Sequence, residues 1–496
     1  ILAKDSDKFI TFGELYWQSH SIATYLRHLG FGKGKMAAIV LNNSLEWPVV
    51  YLGTCASGGA ISLASVHLNE SELARQLNDS SSVVVFTEES LLDKVLKAIE
   101  SCPSVKTVVC IRHKSHFRLP ANVIDYAEVL RRRPEEIETN VEPYDLALLP
   151  YSSGTTGVPK GTMLTHKNFG TMVEILKQYE TTMLHLPMFH IFGMGILNFS
   201  LFSGTTGVVL EKFESEVFLK AIQQHKPRFL FVVPPILILL AKHPRVDDFD
   251  LSSIEFVETG AAPAGKAICE ELIARHPNVK YLAQGYGMTE CSMASHLPLL
   301  DRKHPYDNVG VICSNFEQKT ICHETGEELG PGKVGEIIVR SPTIMRGYLN
   351  KTAETEETVD EQGWLHTGDI GYYDEDGRTF IVDRRKELIK VKGMQVAPAD
   401  LEDLLLSHPL IQEAAVIGLP DMNERRNRGE LVRAYVIRKE ETLSVEDVIR
   451  FVSSRVAEYK HITGGVRFVT VIPKSAAGKI LRRVLRDQVR EEMKKE

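Results

Sequence analysis

The residues with the clearest chemical purpose lie in one loop. Between Tyr151 and Gly161 the chain places Ser152, Ser153, Gly154, Thr155, Thr156 and Lys160. Glycines let a backbone wrap closely and aim its N–H groups at an anion. The hydroxyls can donate to phosphate oxygens, and Lys160 adds a cation. The competing reading is a flexible surface loop. Such a loop seldom gathers four short hydroxyl side chains and three glycines around one lysine. The pattern is not that of a P-loop hydrolase, because Lys160 stands between Pro159 and Gly161 rather than before Ser or Thr. The 17 histidines include no HExxH, and the seven cysteines (positions 55, 102, 110, 269, 291, 313 and 322) form no CxxC pair. They read as buried, reduced thiols rather than a zinc site or disulfide framework.

Those donors need a scaffold, and 496 residues leave room for about three domain-sized units. With 58 basic and 65 acidic residues the formal charge is −7; 43% of residues are apolar and 25% charged. That composition excludes a disordered, collagen-like or coiled-coil chain, and its acidic balance disfavours a nucleic-acid binder. The apolar run Phe229 to Ala241 is too short to span a membrane and is split by Pro234 and Pro235, so a strand, a turn and a short core helix are expected. The N-terminus lacks a secretion-signal pattern, and we expect an upstream segment before Ile1. The C-terminus carries no recognisable address, which gives a cytoplasmic expectation, with a peroxisomal one left open.

Helix and strand patterns alternate over the first 150 residues. Phe12 to Gly30 predicts a helix ending on a glycine, Met36 to Leu41 a buried strand, Ser44 to Ser57 a helix, and Ala60 to Leu63 a strand. Glu70 to Leu77 predicts a helix, with strands at Val83 to Phe86 and Val105 to Ile111. This argues a doubly wound α/β sheet. A second such stretch covers about 145 to 300, with strands at Lys226 to Val233 and Ile254 to Glu258. From about 305 to 380 short strands alternate with turns at Glu324 to Gly326 and Asp374 to Gly377, predicting a β-rich, barrel-like subdomain. Helix and strand then mix again, with a helix over Pro398 to Ser407 and a strand over Ala414 to Ile417. The expected fold is therefore α/β: a large domain over 1–383, built of two doubly wound subdomains and a barrel-like one, and a small α+β domain over 384–496. Arg131 to Glu136 reads as a solvated connection.

The loop, with Met163 to His166 after it, resembles the signature of the adenylate-forming superfamily of acyl-CoA synthetases, 4-coumarate–CoA ligases and beetle luciferases. Leu186 to Gly193, Gly260 to Pro263, Gln284 to Glu290, Gly363 to Asp369, Asp383 to Lys390 and Pro473 to Lys479 resemble its further motifs in family order, across nearly the whole chain. The resemblance implies activation of a carboxylate by ATP as an acyl-adenylate, with pyrophosphate released. The CoA thiol then displaces AMP to give a thioester. ATP and CoA are the implied co-substrates and Mg²⁺ the implied metal. The implied partners are small molecules only, with no nucleic acid and no integral membrane segment; a monomer or weak homodimer is expected.

Site roles follow residue by residue from the same resemblance. The loop residues cradle phosphate, Thr289 donates to the α-phosphate, and Glu290 is a hard oxygen ligand suited to Mg²⁺. Lys479 bridges carboxylate and phosphate, offsetting their repulsion. Asp369 takes both ribose hydroxyls, with Arg384 beside it. Gly260, Ala261, Ala262, Pro263, Gln284, Gly285, Tyr286 and Gly287 wall the adenine slot. Lys386 falls at the pivot of a mobile tail domain, and Lys390 and Gln395 belong to the face presented for thioester formation. His190 borders the acyl pocket and the path of the thiol, while His185 reads as structural. Arg482, Arg483 and Arg486 read as a solvated face.

Phe192, Gly193, Val233, Gly260, Gly285, Met288 and Ala294 are the expected acyl-pocket lining; they are apolar or small and suit an apolar tail. No aspartate stands near Phe189 and His190, which disfavours an amino-acid substrate. Plant coumarate ligases usually carry a lysine where this chain has Glu258. That departure leans the expectation toward a medium or long-chain fatty acid, with Glu258 pointing to solvent or finding a partner. A phenolic-acid ligase and a luciferase-type oxygenase are the alternatives. An adenylation domain serving a carrier protein and a degenerate nucleotide binder are weaker ones. Arg425, Arg426 and Arg428, in a tail loop where relatives are often acidic, read as solvated, with a contact for CoA phosphates as the alternative.

Overall fold

Parallel pairing dominates the first part of the chain, as its short runs of Val, Ile and Ala require. The computed structural model describes residues 2–3, 8–113, 117–136, 140–152, 159–175, 181–298, 306–391, 394–420, 429–475 and 478–493. Its largest sheet runs Gly347–Tyr348, Lys160–Thr165, Leu146–Ser152, Ala60–Leu63, Met36–Val40, Val84–Glu88, Thr107–Ile111, Val123–Asp125. From Leu146–Ser152 to Val123–Asp125 every pairing is parallel. Lys160–Thr165 and Gly347–Tyr348 then add antiparallel strands at the other edge. Met36–Val40, Ala60–Leu63 and Val84–Glu88 are buried at every position and carry apolar or small side chains throughout except for Glu88, which accepts from Asn42 at 2.6 Å. The helix Phe12–His28 is fixed at its start by a Thr11–Glu14 capping box.

The second α/β stretch forms two three-stranded parallel pieces. One pairs Leu2–Ala3, Thr206–Val209 and Thr181–Leu184; the other pairs Phe229–Val232, Phe256–Thr259 and Tyr281–Gln284. The helix Pro234–Lys242 opens on its paired prolines, where no intrahelical donor is lost. Glu328–Leu329, Glu317–Ile321, Gly335–Arg340, Leu365–Tyr373 and Thr379–Arg384 build a five-stranded antiparallel sheet. Its expected turns are present, with Gly326 and Gly377 at positive φ.

The tail pairs Ile389–Val391 with Met394–Val396 and builds a sheet from Ile411–Pro420, Glu430–Arg438 and Val466–Phe468. The helices Pro398–Leu406, Val445–Ser453 and Arg482–Met493 accompany it. Val396, Leu401, Val416, Val432 and Val448 form a core separate from that of the large domain. Two of the three arginines expected in solvent are not there. Arg482 is largely buried, donating to Glu402 at 2.7 Å and to the Val416 carbonyl at 3.2 Å, and Arg486 pairs with Glu387. The acids that bury them lie too far along the chain for a local reading to supply. Arg483 is exposed as expected. The Arg131 to Glu136 connection is mostly exposed but lies on the first helix, with Arg132 5.0 Å from the Tyr25 ring centre. No helix among the described residues is long and apolar enough to cross a membrane.

Candidate active site

A cavity of about 820 Å³ collects most of the residues singled out by type and spacing. Much of its wall comes from the C-terminal ends of parallel strands, where doubly wound sheets open. Ser153, Gly154, Thr155, Thr156, Arg425, Arg426 and Arg428 lie outside the described residues.

At one end the polar groups are already paired. Buried Asp369 accepts from the Tyr286 hydroxyl at 2.6 Å and meets Arg384 Nε at 3.2 Å. Strand register sets that ion pair, because Asp369 and Arg384 are direct partners across the sheet. Burial and the Asp369 charge push the Tyr286 hydroxyl well above its ordinary range. Glu290 accepts on one oxygen from Ser152 Oγ at 3.1 Å and the Tyr348 hydroxyl at 2.8 Å. Lys160 Nζ sits 4.9 Å from the centre of the Tyr348 ring. Thr289 opens a single 3-10 turn on the cavity wall. Gly287 has no room for a side chain, since a Cβ there would fall 2.0 Å from the Met293 carbonyl.

Some expected nucleotide contacts sit behind the wall. Gly260 and Ala261 line the cavity; Ala262, Pro263 and Gln284 do not. Ala261 holds a left-handed φ of 69°, a strained conformation for a residue with a Cβ. Buried Gln284 ties the following chain down, accepting from the Ala264 N–H at 2.8 Å and donating to the Tyr306 carbonyl. It shapes the turn from behind. Asp369 also stands back, presenting itself through Tyr286 and Arg384.

Lys479 enters from the tail. Burial, then repulsion from Arg384, lowers its pKa to about 8, with Asp369 opposing. Its turn is self-tied through Ser475, whose N–H donates to the Lys479 carbonyl at 2.8 Å. His190 lines the same space, and its Nδ1 accepts from the Phe192 N–H at 3.3 Å, capping the helix Ile191–Phe202. Burial, then the Lys479 charge, lowers its pKa to about 4, so its ring is neutral near pH 7. His185 is buried outside the cavity, with ring centres 4.7 Å from Phe218, and stays structural. Lys390 and Gln395 are not brought into the cavity; they face each other across the tail hairpin and are exposed.

The opposite end is apolar with one exception. Phe192, Gly260, Gly285, Met288 and Ala294 line it; Gly193 and Val233 do not. Gly193 instead lies against the Pro187 carbonyl, and Val233 lies under Gly478. Glu258 contradicts its expected position. It is 7% exposed, lines the cavity, and has no hydrogen bond or ion pair among the described residues. Burial pushes its carboxyl up to about 7. Phe256–Thr259 is the middle strand of its sheet, so alternate side chains must face inward whatever their chemistry.

Two residues at the site carry no local motif. Tyr348 arrives on the edge strand beside Lys160–Thr165. Glu336 is buried at the rim, accepts from the Gly368 N–H at 3.0 Å, and faces His366 and Arg385 at 3.8 and 3.6 Å. Its one signal was an acid inside an apolar strand pattern. Among the described residues no group of three or more His, Cys, Asp or Glu could hold a metal. A single carboxylate, Glu290, fits the mode in which nucleotide phosphates and water complete the shell of Mg²⁺.

Residues 1–349 match the model of the AMP-binding enzymes and residues 400–479 that of the AMP-binding enzyme C-terminal domain. A probable CoA ligase, CCL5, from Humulus lupulus is 40% identical, over 96% of this chain and 88% of that protein. The 4-coumarate–CoA ligase 1 of Petroselinum crispum is 38% identical, over 97% of this chain and 89% of that protein. The ATP-bound structure of MatB from Rhodopseudomonas palustris superposes with a TM-score of 0.87 at 27% identity, covering 98% of this chain and 94% of that one. The chain belongs to the AMP-binding enzymes, the adenylate-forming family whose acid–thiol ligases use ATP, Mg²⁺ and CoA.

Proposed function

We propose that this AMP-binding enzyme is an ATP-dependent CoA ligase for an aromatic, hydroxyl-bearing carboxylic acid, the 4-coumarate type being the model substrate. One observation carries the choice of acid: Glu258 lies unpaired in the acyl wall. An aliphatic tail would leave that carboxyl without a partner, at a cost of about 1–3 kcal/mol. A ring hydroxyl at the far end of the acid supplies the partner. With its pKa near 7, Glu258 can donate or accept that hydrogen bond at neutral pH. Phe192 suits a flat ring, and a side chain at Gly285 would displace the carboxyl, since a Cβ there would fall 2.7 Å from Glu258 Oε1. The name of the Petroselinum crispum relative supports the same reading, and the fatty-acid expectation gives way to it.

Lys479 bridges the acid's carboxylate and the α-phosphate, Thr289 donates to that phosphate, and Arg384 and Asp369 hold the ribose. Glu290 holds Mg²⁺, which supplies charge neutralisation at the phosphates when bound. Neutral His190 lines the thiol's path without adding a second cation beside Lys479. The domain boundary lies at 383/384, and rotation about Lys386 exchanges Lys479 for the Lys390 and Gln395 face. All seven cysteines are unpaired, which supports a reducing compartment such as the cytoplasm. The test is a panel of 4-coumarate, cinnamate and octanoate, scored for pyrophosphate release and for thioester with CoA. Thioester formation fastest with 4-coumarate is expected. Octanoate preferred, with efficiency rising at each added methylene, would return the protein to the fatty-acid branch.

A further inference from the structure

The helix Lys266–Arg275 of the large domain starts on Gly265, which has no side chain to cap its first N–H groups. The acid that stands there comes from elsewhere in the chain. Asp403, on the tail helix Pro398–Leu406, is half-buried against that helix start. Its Oδ1 is buried there with no hydrogen-bond partner among the described residues, so the carboxylate acts on the helix start through its charge. Burial pushes that carboxyl up, while the N–H groups of Ala267 and Lys266 pull it back down. The approach is close: a Cβ added at Gly265 would lie 1.8 Å from Asp403 Oδ1 and 3.2 Å from Asp403 Cβ.

A second contact crosses between the same two domains. Lys242, the last residue of the large-domain helix Pro234–Lys242, donates to the Leu406 carbonyl at the end of the tail helix, at 3.3 Å. Its Nζ also lies 3.5 Å from Glu271 of the helix Lys266–Arg275. The other end of Pro234–Lys242 receives the Lys479 turn, where a Cβ on Gly478 would fall 2.9 Å from Pro235. One helix thus seats the tail at both ends, and the turn bearing Lys479 is one of the two seats.

We propose that Asp403 is a positioning residue: by setting its carboxylate against the N-terminus of the helix Lys266–Arg275 across the domain interface, together with the Lys242–Leu406 bond, it latches the tail in the orientation that presents Lys479 to the cavity. The inference rests on the ligase reading above, in which the tail must leave this seat before CoA reacts. The latch favours adenylation and opposes the CoA step, so its loss shifts the balance between the two half-reactions.

The experiment measures both half-reactions separately: acid-dependent pyrophosphate release, and thioester formation from pre-made acyl-adenylate and CoA. Asp403→Ala is expected to slow the first about tenfold, the scale of a partly buried charge removed from a helix start, and to leave the second unchanged or faster. Asp403→Asn keeps the shape but not the charge and should lose nearly as much as Asp403→Ala. The pair Gly265→Cys with Asp403→Cys supplies a lock, since the Cβ separation of 3.2 Å needs to open by only a few tenths of an ångström to reach the range of about 3.5–4.5 Å found in disulfides. Oxidised, it should release pyrophosphate but make no thioester until reductant is added. A non-reducing gel reads the disulfide itself, whatever the enzyme turns over. Equal slowing of both half-reactions by Asp403→Ala, or a change in their ratio below twofold, overturns the latch. So does failure of the pair to cross-link, or an oxidised pair that makes thioester at the wild-type rate. Wild type that releases pyrophosphate but never forms a thioester with CoA overturns the ligase reading instead, and the gel alone then decides whether the two residues meet.

Discussion

At the nucleotide end of the cavity, Asp369, Arg384, Glu290 and Lys160 each rest on a named partner, while at the acyl end Glu258 meets none among the described residues. The first end is held in place before any ligand arrives. Its hydrogen bonds fix donors and charges at the cost of folding rather than at the moment of reaction. The second end is incomplete, and whatever fills it must supply what Glu258 lacks. On the proposed reading, the reaction shared across the family belongs to the satisfied end and the choice of acid to the unsatisfied one.

The largest expected effect breaks the satisfied end. Lys479→Ala should cut acyl-adenylate formation by about 10²–10³, the scale of losing one preorganised donor to developing charge. Conversion of pre-made acyl-adenylate with CoA should survive; equal loss of both steps would remove Lys479 from its role. In wild type the amine must stay protonated to offset the phosphate charge. Single-turnover adenylation should therefore fall as pH rises through about 8.

Glu258 sharpens the comparison through stability. Its folded-state pKa, about 7, lies above the ordinary 4.5. Below about 4.5 both states are protonated and the burial is at its cheapest. Stability is then lost as pH rises through about 7, reaching on the order of 3 kcal/mol. Glu258→Gln is neutral throughout, so its Tm should exceed that of wild type at pH 8, and the gap should shrink steadily toward pH 4.5. A pH-independent gap would mean that Glu258 is paired in solution. Tyr348→Phe should act more gently: with one of two donors to Glu290 lost, KM for ATP should rise about fivefold, near 1 kcal/mol, with the Mg²⁺ requirement shifted upward. An unchanged Mg²⁺ titration would detach Tyr348 from the metal ligand.

The same contrast explains what was legible in the sequence. Strands with runs such as Met36 to Val40 announced a buried parallel sheet, and the turn at Asp374 to Gly377 announced itself by composition. The nucleotide end was legible because its residues sit in contiguous motifs rich in Gly, Thr and charge. Tyr348 and Glu336 were not, because sheet register alone brings them to the site. Arg482 reads locally as part of a basic run, and only folding brings Glu402 to it. For Glu258, the expectation that an acid seeks solvent lost to strand geometry: in a central strand flanked on both sides, position decides the facing and chemistry must follow.

The central claim is that Glu258 reads a polar group on the acid, and one cycle tests it directly. Measure kcat/KM for thioester formation with 4-coumarate and with cinnamate, which lacks the ring hydroxyl, for wild type and Glu258→Leu. Wild type should favour 4-coumarate by about tenfold or more, and the variant should treat the two acids within about twofold, since the group that told them apart is gone. Discrimination of equal size in both enzymes would contradict the account, because the ring hydroxyl would then be read somewhere other than Glu258.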